Sequence, residues 1–269
     1  MFKRFFCLFI SLTLCSGALW SGDFEDGIAA HEKKDFATAL EKFKSAAAQG
    51  DVNAQMNLAF MHGKGQGVVQ DYAEAVRWYK LAAAQGDAEA QFNLGVWYDN
   101  GKGVVQDYVE AVRWYKMAAA QEHTGAQVNL AFMYSKGQGV VQDYAEAVRW
   151  YKLAAVQGNA DAQFNLGLWY DNGRGVVQDY VEAVRWYKLS AAQGNSSAQL
   201  NLGFMYSNGQ GVMQDYIRAH MWYNLAAIKG DAALVKNRDI VAKKMTTQQI
   251  LKAQKLAREC QARDFKNCD

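Results

Sequence analysis

The sequence predicts an all-α solenoid, a fold in which helix pairs stack and bury their apolar faces against each other. A unit of 36 residues recurs, marked by Trp78, Trp114, Trp150, Trp186 and Trp222. A period of roughly 20 to 50 residues indicates a repeat architecture. The chain contains no proline, which would interrupt helices, and 51% of its residues are apolar, which is ample for a buried core.

Each unit predicts two helices. In the clearest copy, Asp71 to Gln106, the first helix has Asp71 as N-cap and Glu74 as the second member of a capping box, and it ends at Gly86. Asp87 caps the second helix, which runs to Asn100 before the loop GKGVVQ. Small residues at one position of the second helix indicate close helix contact there: Ala59, Gly95, Ala131, Gly167 and Gly203.

One junction departs from the pattern, with Glu122-His123-Thr124 where the other units have Gly-Asp or Gly-Asn. We expect the next helix to start one residue later, with Thr124 as its cap. His123 lies beside a loop and is interpreted as a surface residue without a role.

Residues 1–18 are interpreted as an export signal, with a charged start, an apolar run and the small residues Ser16-Gly17-Ala18. Cleavage is expected after Ala18, which removes Cys7 and Cys15; attachment of lipid at Cys15 is the weaker alternative because bulky Leu14 precedes it. The apolar run is short for a membrane span. The mature chain is therefore expected to be periplasmic or secreted, and not an integral membrane protein.

The charge balance argues against nucleic acid as a partner. The formal net charge is +2, and Lys3 and Arg4 of the N-terminal segment account for it. The remaining chain carries equal numbers of basic and acidic residues, although residues 229–269 are more basic than the rest. This balance gives no electrostatic reason to expect nucleic acid as the partner.

The repeat resembles the Sel1-like repeat, a relative of the tetratricopeptide repeat. The pattern is supplied by Ala90, Leu94, Gly95, Tyr98, Gly101, Gly103, Val104, Asp107, Ala111, Trp114, Tyr115, Ala118 and Ala119. The resemblance implies a right-handed superhelix of antiparallel helix pairs and a protein-interaction scaffold. It also implies the following organisation: an N-terminal unit like an ordinary tetratricopeptide repeat at 19–51, five repeats at 52–87, 88–123, 124–159, 160–195 and 196–231, and a C-terminal cap at 232–269.

The resemblance places the first helix of each repeat, with the bounds 52–87 and its copies, on the concave face. In the clearest copy, Asp71 to Gln106, this is the helix that Asp87 caps. The predicted peptide-binding groove comprises Asn57, Phe60, Phe92, Asn93, Val96, Asn129, Phe132, Phe164, Asn165, Leu168, Asn201 and Phe204, with Met56, Val128 and Leu200 as further apolar positions. Its asparagines form a ladder of amides that could pair with an extended peptide backbone. The alternative is that the stripe packs between helices and the asparagines satisfy nearby backbone groups.

Two cysteines remain in the mature chain, Cys260 and Cys268, and in an exported protein they are expected to form a disulfide. The four histidines lie at unrelated positions, and the chain lacks HExxH, CxxC and Ser-x-x-Lys. We therefore expect no enzyme and no cofactor. The expected function is that of a monomeric scaffold for a protein or peptide; the alternative, suggested by cysteine-rich relatives, is a hydrolase of β-lactam or cell-wall substrates.

Overall fold

The structure is a computed structural model that describes residues 22–229 and 232–268. All regular secondary structure in these residues is helical, and the chain divides into two compact units, with the division after Ala126. Each unit is a stack of helix pairs, so the predicted fold class, an all-α solenoid, is confirmed. The predicted export signal at 1–18 lies outside the described residues.

The first unit contains α1 (residues 22–32), α2 (Phe36–Ala48), α3 (Val52–Lys64), α4 (Tyr72–Ala84), α5 (Ala88–Asn100) and α6 (Tyr108–Ala120). Helix α7 (Thr124–Lys136) crosses the boundary. The second unit continues with α8 (Tyr144–Val156), α9 (Ala160–Asn172), α10 (Tyr180–Ala191), α11 (Ser196–Asn208) and α12 (Tyr216–Ala226), followed by a 3₁₀ turn (Ala227–Lys229), α13 (Ala232–Ala242) and α14 (Thr247–Ala262). We call α3, α5, α7, α9 and α11 the A helices, and α4, α6, α8, α10 and α12 the B helices.

The helices begin and end largely where the sequence predicts. The side chain of Asp71 accepts a hydrogen bond of 2.9 Å from the backbone N–H of Glu74, and that of Asp87 accepts one of 2.7 Å from Ala90. Each bond satisfies a free N–H in the first turn of a helix. Gly101 ends α5 in the left-handed conformation, with φ at 65°, which costs glycine little because it lacks a Cβ. The Glu74 carboxylate pairs with Arg77, at 3.1 Å.

The prediction for the exceptional junction is wrong. Helix α7 starts at Thr124, in register with the other A helices, and Thr124 is not its cap. The Nδ1 atom of His123 accepts a bond of 3.1 Å from the N–H of Ala126, which is the role of Asp87 one repeat earlier. A neutral imidazole nitrogen carries a lone pair, so it can cap a helix much as a carboxylate does.

Small residues on the A helices bring the helices of a pair together, as predicted. A Cβ placed at Gly167 would lie 2.6 Å from the ring of Tyr187, and one at Gly203 would lie 2.6 Å from the ring of Tyr223. Both distances are shorter than atoms tolerate, so glycine is required. In the repeats that have glycine here, the A and B helices therefore meet through a tyrosine ring that lies on bare backbone.

The tyrosines are held in two different ways, which alternate over the first four repeats, from 52–87 to 160–195; the fifth repeat, with Gly203, packs as the fourth does. Where the A helix has alanine, at Ala59 and Ala131, the rings of Tyr79 and Tyr151 lie edge-on to Trp97 and Trp169 of the next repeat, with centroids 5.2 and 5.7 Å apart. Where it has glycine, at Gly95 and Gly167, the tyrosine ring lies on the glycine. Alanine and glycine at this position of the A helix therefore correspond to two kinds of core packing.

The C-terminal cap packs on the last repeat, with α13 and α14 both against α12. Thr246 and Gln249 form a capping box at the start of α14. Ala253, Ala257 and Cys260 are buried, whereas Leu251 is exposed. The small side chains of α14, together with Leu256, therefore form the contact.

Candidate functional site

The predicted groove residues all lie on A helices. In the first unit, α3 carries Asn57 and Phe60, and α5 carries Phe92, Asn93 and Val96. In the second unit the corresponding residues are Asn129 and Phe132 on α7, Phe164, Asn165 and Leu168 on α9, and Asn201 and Phe204 on α11. The two sets are considered separately, because they belong to separate units.

The apolar residues of the predicted groove divide into exposed and packed positions. Phe60, Phe132 and Phe204 are 42%, 45% and 50% exposed. Val96 and Leu168, which occupy the same repeat position, are partly buried and pack against the cores of their units. Three phenylalanines, in alternate repeats, therefore present apolar surface to solvent, while the others contribute to packing.

Lysine side chains accompany two of the exposed phenylalanines. The Nζ atom of Lys64 lies 5.9 Å from the ring centroid of Phe60, and that of Lys136 lies 5.7 Å from the ring centroid of Phe132. A cation over an aromatic face is weakly attracted to it at exposed sites. These places therefore offer a flat apolar surface beside a positive charge.

The asparagines of the ladder already make local contacts. The side-chain amides of Asn57 and Asn165 donate to backbone oxygens one turn earlier, Asn53 at 2.9 Å and Asp161 at 2.8 Å. The amide of Asn93 lies 3.4 Å from a carboxylate oxygen of Glu89. One such bond occupies one of the two amide hydrogens, which leaves a carbonyl oxygen and a second N–H with capacity for a ligand.

His123 supports one wall of the first unit's A-helix surface. Its ring stacks on Phe92 with centroids 4.5 Å apart, and its Nε2 atom lies 3.0 Å from the Glu89 carboxylate. The sequence interpretation gave His123 no role, since a lone histidine beside a loop is usually solvated. The structure instead shows it fixing Phe92 from one side.

Two carboxylates, Asp99 and Asp171, lie on A helices three residues after the groove positions Val96 and Leu168. Asp99 and Asp171 accept hydrogen bonds of 3.3 and 3.1 Å from the hydroxyls of Tyr115 and Tyr187. Burial raises the pKa of both carboxyls above their ordinary value, and the tyrosine bonds oppose that shift. These two residues are therefore part of the contact between A and B helices.

A buried glutamine network, which the sequence reasoning missed, crosses the junctions between repeats. Gln91 is buried, and its amide donates to the carbonyl of Ala83 at 3.2 Å. The Oε1 atom of Gln91 accepts a bond of 2.9 Å from Gln121, which also donates to Gly86 at 2.9 Å. The glutamines equivalent to Gln91, at Gln55, Gln127, Gln163 and Gln199, are buried as well. This network, not the asparagine ladder, satisfies the backbone at the junctions.

The interhelical loops also carry apolar side chains that the sequence reasoning did not weigh. One residue in each loop is 87% to 90% exposed: Val69, Val105, Val141, Val177 and Met213. They differ from the exposed phenylalanines in lying on loops rather than on A helices, and they supply matched controls for tests of the groove.

The remaining predictions concern the cysteines, metals and the membrane. Cys260 and Cys268 are paired, with Cα atoms 5.0 Å apart, as a disulfide requires. Within 22–229 and 232–268, no cluster of three or more His, Cys, Asp or Glu side chains is placed to hold a metal ion. None of the helices in that part of the chain combines the length and the apolar character needed to cross a membrane.

The chain belongs to the Sel1 repeat family, whose members are known as protein–protein interaction scaffolds. The family model matches residues 24–51, 52–87, 88–123, 124–159, 160–195 and 196–231. The first of these segments, which the sequence likened to an ordinary tetratricopeptide repeat, is thus matched as a Sel1 repeat too.

Solved structures of the same family resemble this chain. A Sel1 repeat protein from Oxalobacter formigenes is 36% identical, with a TM-score of 0.71, over 80% of this chain and 86% of that one. A putative Sel1 repeat protein from Klebsiella pneumoniae is 25% identical, with a TM-score of 0.46, over 76% of this chain and 99% of that one. A protective antigen of uropathogenic Escherichia coli is 28% identical, with a TM-score of 0.44, over 91% and 70%. No curated protein matches the chain.

Proposed function

We propose that this chain is an exported scaffold that binds another protein, or an extended peptide, on the exposed surface of its A helices and performs no catalysis. The observation that carries the proposal is the exposure of Phe60, Phe132 and Phe204 on helices whose other large apolar side chains pack inward. Exposed aromatic side chains in a polar setting are typical of binding surfaces. The family's role as interaction scaffolds supports the same conclusion.

Recognition is expected to combine two kinds of contact. The phenylalanine rings give apolar area, and Lys64 and Lys136 beside them favour acidic or polar neighbours in the partner. The amides of Asn57, Asn93, Asn129, Asn165 and Asn201 pair with the partner's backbone. Because these groups sit on rigid helices, little ordering is needed on binding, which favours affinity.

The test replaces the exposed rings. The variant Phe60→Ser, Phe132→Ser, Phe204→Ser should lose partner capture from an envelope extract while its helical content and melting temperature stay close to those of the natural chain. The matched control is Val69→Ser, Val141→Ser, Met213→Ser, which removes apolar side chains that are even more exposed, at 89% to 90%, but lie on loops. Capture that survives the first variant, or is lost equally in the control, contradicts the proposal.

The asparagine ladder is tested separately. Replacing Asn93, Asn129 and Asn165 together with alanine should abolish capture, because the backbone contacts are lost, and should leave melting unchanged if the amides serve the partner. A fall in melting temperature with capture retained per folded molecule would assign the asparagines to the fold alone.

Export and oligomeric state have direct tests. Residues 1–18 and the Cys260–Cys268 pair support export to an oxidising compartment. N-terminal sequencing of the protein from a periplasmic fraction should begin at Leu19, and light scattering should give the mass of a monomer. A chain that retains Met1 in the cytoplasm contradicts the export proposal.

A further inference from the structure

The C-terminal segment, residues 229–269, differs from the rest of the chain in charge. It contains ten Lys and Arg side chains and five Asp and Glu side chains, a net charge of +5. Residues 19–228 contain 17 basic and 22 acidic side chains, a net charge of −5. The excess positive charge of the protein beyond residue 18 is therefore concentrated at its C-terminal end.

Three of these cations lie beside an exposed leucine on α14. Leu251, Lys255 and Arg258 are spaced by four and three residues, so they follow one stripe of the helix, and Lys252 lies next to that stripe. Leu251 is 60% exposed, and the three cationic residues are exposed as well. We call these four residues the α14 outer face.

One carboxylate on α14 reduces the charge of this face. An oxygen of Glu259 lies 3.7 Å from the Nζ atom of Lys255, and both side chains are well exposed, at 48% and 71%. An exposed pair of this kind is weak, so Lys255 can exchange it for another anion at little cost. Three cations against one carboxylate leave two positive charges in excess.

The orientation of α14 is fixed at both ends. Thr246 and Gln249 cap its start. At its other end Cys260 is buried and is bonded to Cys268 through the C-terminal strap, which we define as residues 264–268. Because α14 also buries Ala253 and Ala257 on the side opposite the stripe, the outer face is held towards solvent and needs little ordering on binding.

The chemistry of the α14 outer face fits an anionic bilayer. A helix at a bilayer interface places apolar side chains at the boundary between headgroups and acyl chains, and its cations meet the lipid phosphates. Leu251 supplies the apolar group. Lys252 and Lys255 have long apolar stems that can follow the helix surface while their charges reach the headgroups.

Two other anionic partners fit less well. Nucleic acid offers no apolar region for Leu251, and its unpaired bases stack on aromatic rings, of which residues 229–269 contain one, Phe265. A second copy of this chain offers only five excess negative charges, spread over residues 19–228, whereas an anionic bilayer presents phosphates side by side.

The acidic part of the chain does not prevent such binding. At an ionic strength of about 0.1 M, charges separated by more than about 10 Å are largely screened from each other. The cations of α14 therefore act on a nearby bilayer through their local excess, and the net charge of the distant repeats contributes little.

We propose that the α14 outer face binds the protein peripherally to an anionic phospholipid bilayer, with Leu251 at the boundary between headgroups and acyl chains and Lys252, Lys255 and Arg258 at the lipid phosphates. Such binding requires no membrane-spanning helix. It uses residues outside the A-helix surface, so the proposal goes beyond the scaffold function and does not depend on it.

The test is sedimentation with lipid vesicles at about 0.1 M salt. It uses residues 19–269, which include the whole described structure, because the apolar run within residues 1–18 would itself bind lipid. Vesicles of phosphatidylcholine with about 40 mol% phosphatidylglycerol should bind the protein, and vesicles of phosphatidylcholine alone should bind it at least about tenfold more weakly.

Variants of the outer face make the test specific. The triple variant Lys252→Gln, Lys255→Gln, Arg258→Gln should bind the anionic vesicles more than about tenfold more weakly, since each cation near such a surface strengthens binding about fivefold. Leu251→Gln should weaken binding by about threefold or more, because apolar area is no longer buried in the bilayer. Glutamine favours helices, and circular dichroism verifies that α14 is retained.

The matched control removes the same charge elsewhere. Lys44→Gln, Lys80→Gln, Lys152→Gln changes three exposed lysines on α2, α4 and α8. Since these lie outside the outer face, the control should bind the anionic vesicles within about twofold of the natural chain.

Several outcomes would overturn the proposal. Equal binding to neutral and anionic vesicles, equal losses in the two triple variants, and unchanged binding of Leu251→Gln each do so. Displacement of the protein from vesicles by duplex DNA at equal phosphate concentration would assign the face to nucleic acid instead. A dimer mass in light scattering that the triple variant of α14 abolishes would assign it to a second copy.

Discussion

A buried histidine occupies, in the last B helix, a position that is valine in the four preceding ones. His220 corresponds to Val76, Val112, Val148 and Val184. It is 2% exposed, and its Nδ1 atom has no hydrogen-bond partner among the described residues. Burial lowers the pKa of His220 below its ordinary value of 6.5, nearby Arg238 lowers it further, and Asp239 opposes the shift.

We expect His220→Val to raise the free energy of unfolding by about 1 kcal/mol at neutral pH, because no buried ring nitrogen is left without a partner. Since the folded-state pKa is lowered, the natural chain keeps its stability above pH 6.5 and loses it as the pH falls through that value. Urea denaturation at about pH 8 and about pH 5, on either side of the ordinary histidine pKa, measures both effects. An equal loss of stability on acidification in both proteins contradicts the explanation.

The buried carboxyl of Asp171 should make stability depend on pH in the opposite direction to His220. Burial raises the pKa of Asp171 above its ordinary value of 3.8, so ionisation destabilises the folded state as the pH rises through the folded-state pKa. Asp171→Asn retains an oxygen that can accept the bond from Tyr187. We expect a higher melting temperature at about pH 7 and no gain at about pH 3, below the ordinary aspartate pKa. Asp99→Asn should change the melting temperature in the same way, since burial raises the pKa of Asp99 too.

At the scale of the element, a helix in this chain is joined to its neighbours by side-chain bonds as well as by apolar packing. The glutamine network can connect an A helix to the helices before and after it, as Gln163 shows with a bond to Ala155 at 3.0 Å and one from Gln193 at 2.9 Å. Buried amides of this kind contribute only when fully paired. Removing one member therefore affects three helices.

We expect Gln91→Leu to lower the free energy of unfolding by roughly 1 to 3 kcal/mol, because the Ala83 carbonyl and the Gln121 amide lose a buried partner. Gln49→Leu is the control. It occupies the position of Gln121 but has no preceding repeat, and its amide bonds to Ser45 within its own helix. The control should change stability by less than about 0.5 kcal/mol, as exposed substitutions do. Equal losses would show that the network adds nothing.

Sequence reasoning found the helices and most caps because these depend on local chemistry repeated at a fixed period. Asp71, Asp87 and Gly101 act as local rules dictate. It missed His123 as a cap because capping requires a lone pair in the right place and not a particular residue type. It missed the glutamines because a polar residue within a helix suggests a solvated face. The sequence did contain a signal that these glutamines are buried: each repeat has one, directly after an alanine of the core.

The candidate site was predicted only in part, because exposure depends on tertiary packing. Equivalent positions such as Phe60 and Val96 look alike as apolar residues, yet one is exposed and the other packs against the core. Which of them faces solvent follows from the residues of the adjoining helices. The sequence pattern alone could not separate them.

At the scale of the whole molecule, the two units end differently. In the first unit, Lys42 on α2 stands where the repeats have tryptophan, and it pairs with Asp23 of α1 at 2.8 Å. The second unit is closed by α13, α14 and the disulfide-linked strap. A repeat stack needs a terminal element at an open apolar end, and a polar repeat and a stapled helix meet that need in different ways.

Replacing Cys260 and Cys268 with serine should lower the free energy of unfolding by about 2 to 3 kcal/mol, from the added freedom of the unfolded chain. Hydrogen exchange should report faster opening of α12 and α14, while α3 to α5 of the first unit keep their protection. Uniform loss of protection across both units, or none anywhere, would contradict a local role for the strap.

The two kinds of tyrosine packing limit how such a chain can change its length. Tyr79 needs Trp97 in the following repeat, whereas Tyr115 lies on the glycine of its own repeat. Deleting the repeat 88–123 or the repeat 160–195 alone would remove the tryptophan that Tyr79 or Tyr151 packs against and would leave a void at the new junction. Deleting such a repeat together with the one before it removes the tyrosine and its tryptophan at once. Natural or engineered length variants of this protein should therefore gain or lose these repeats two at a time.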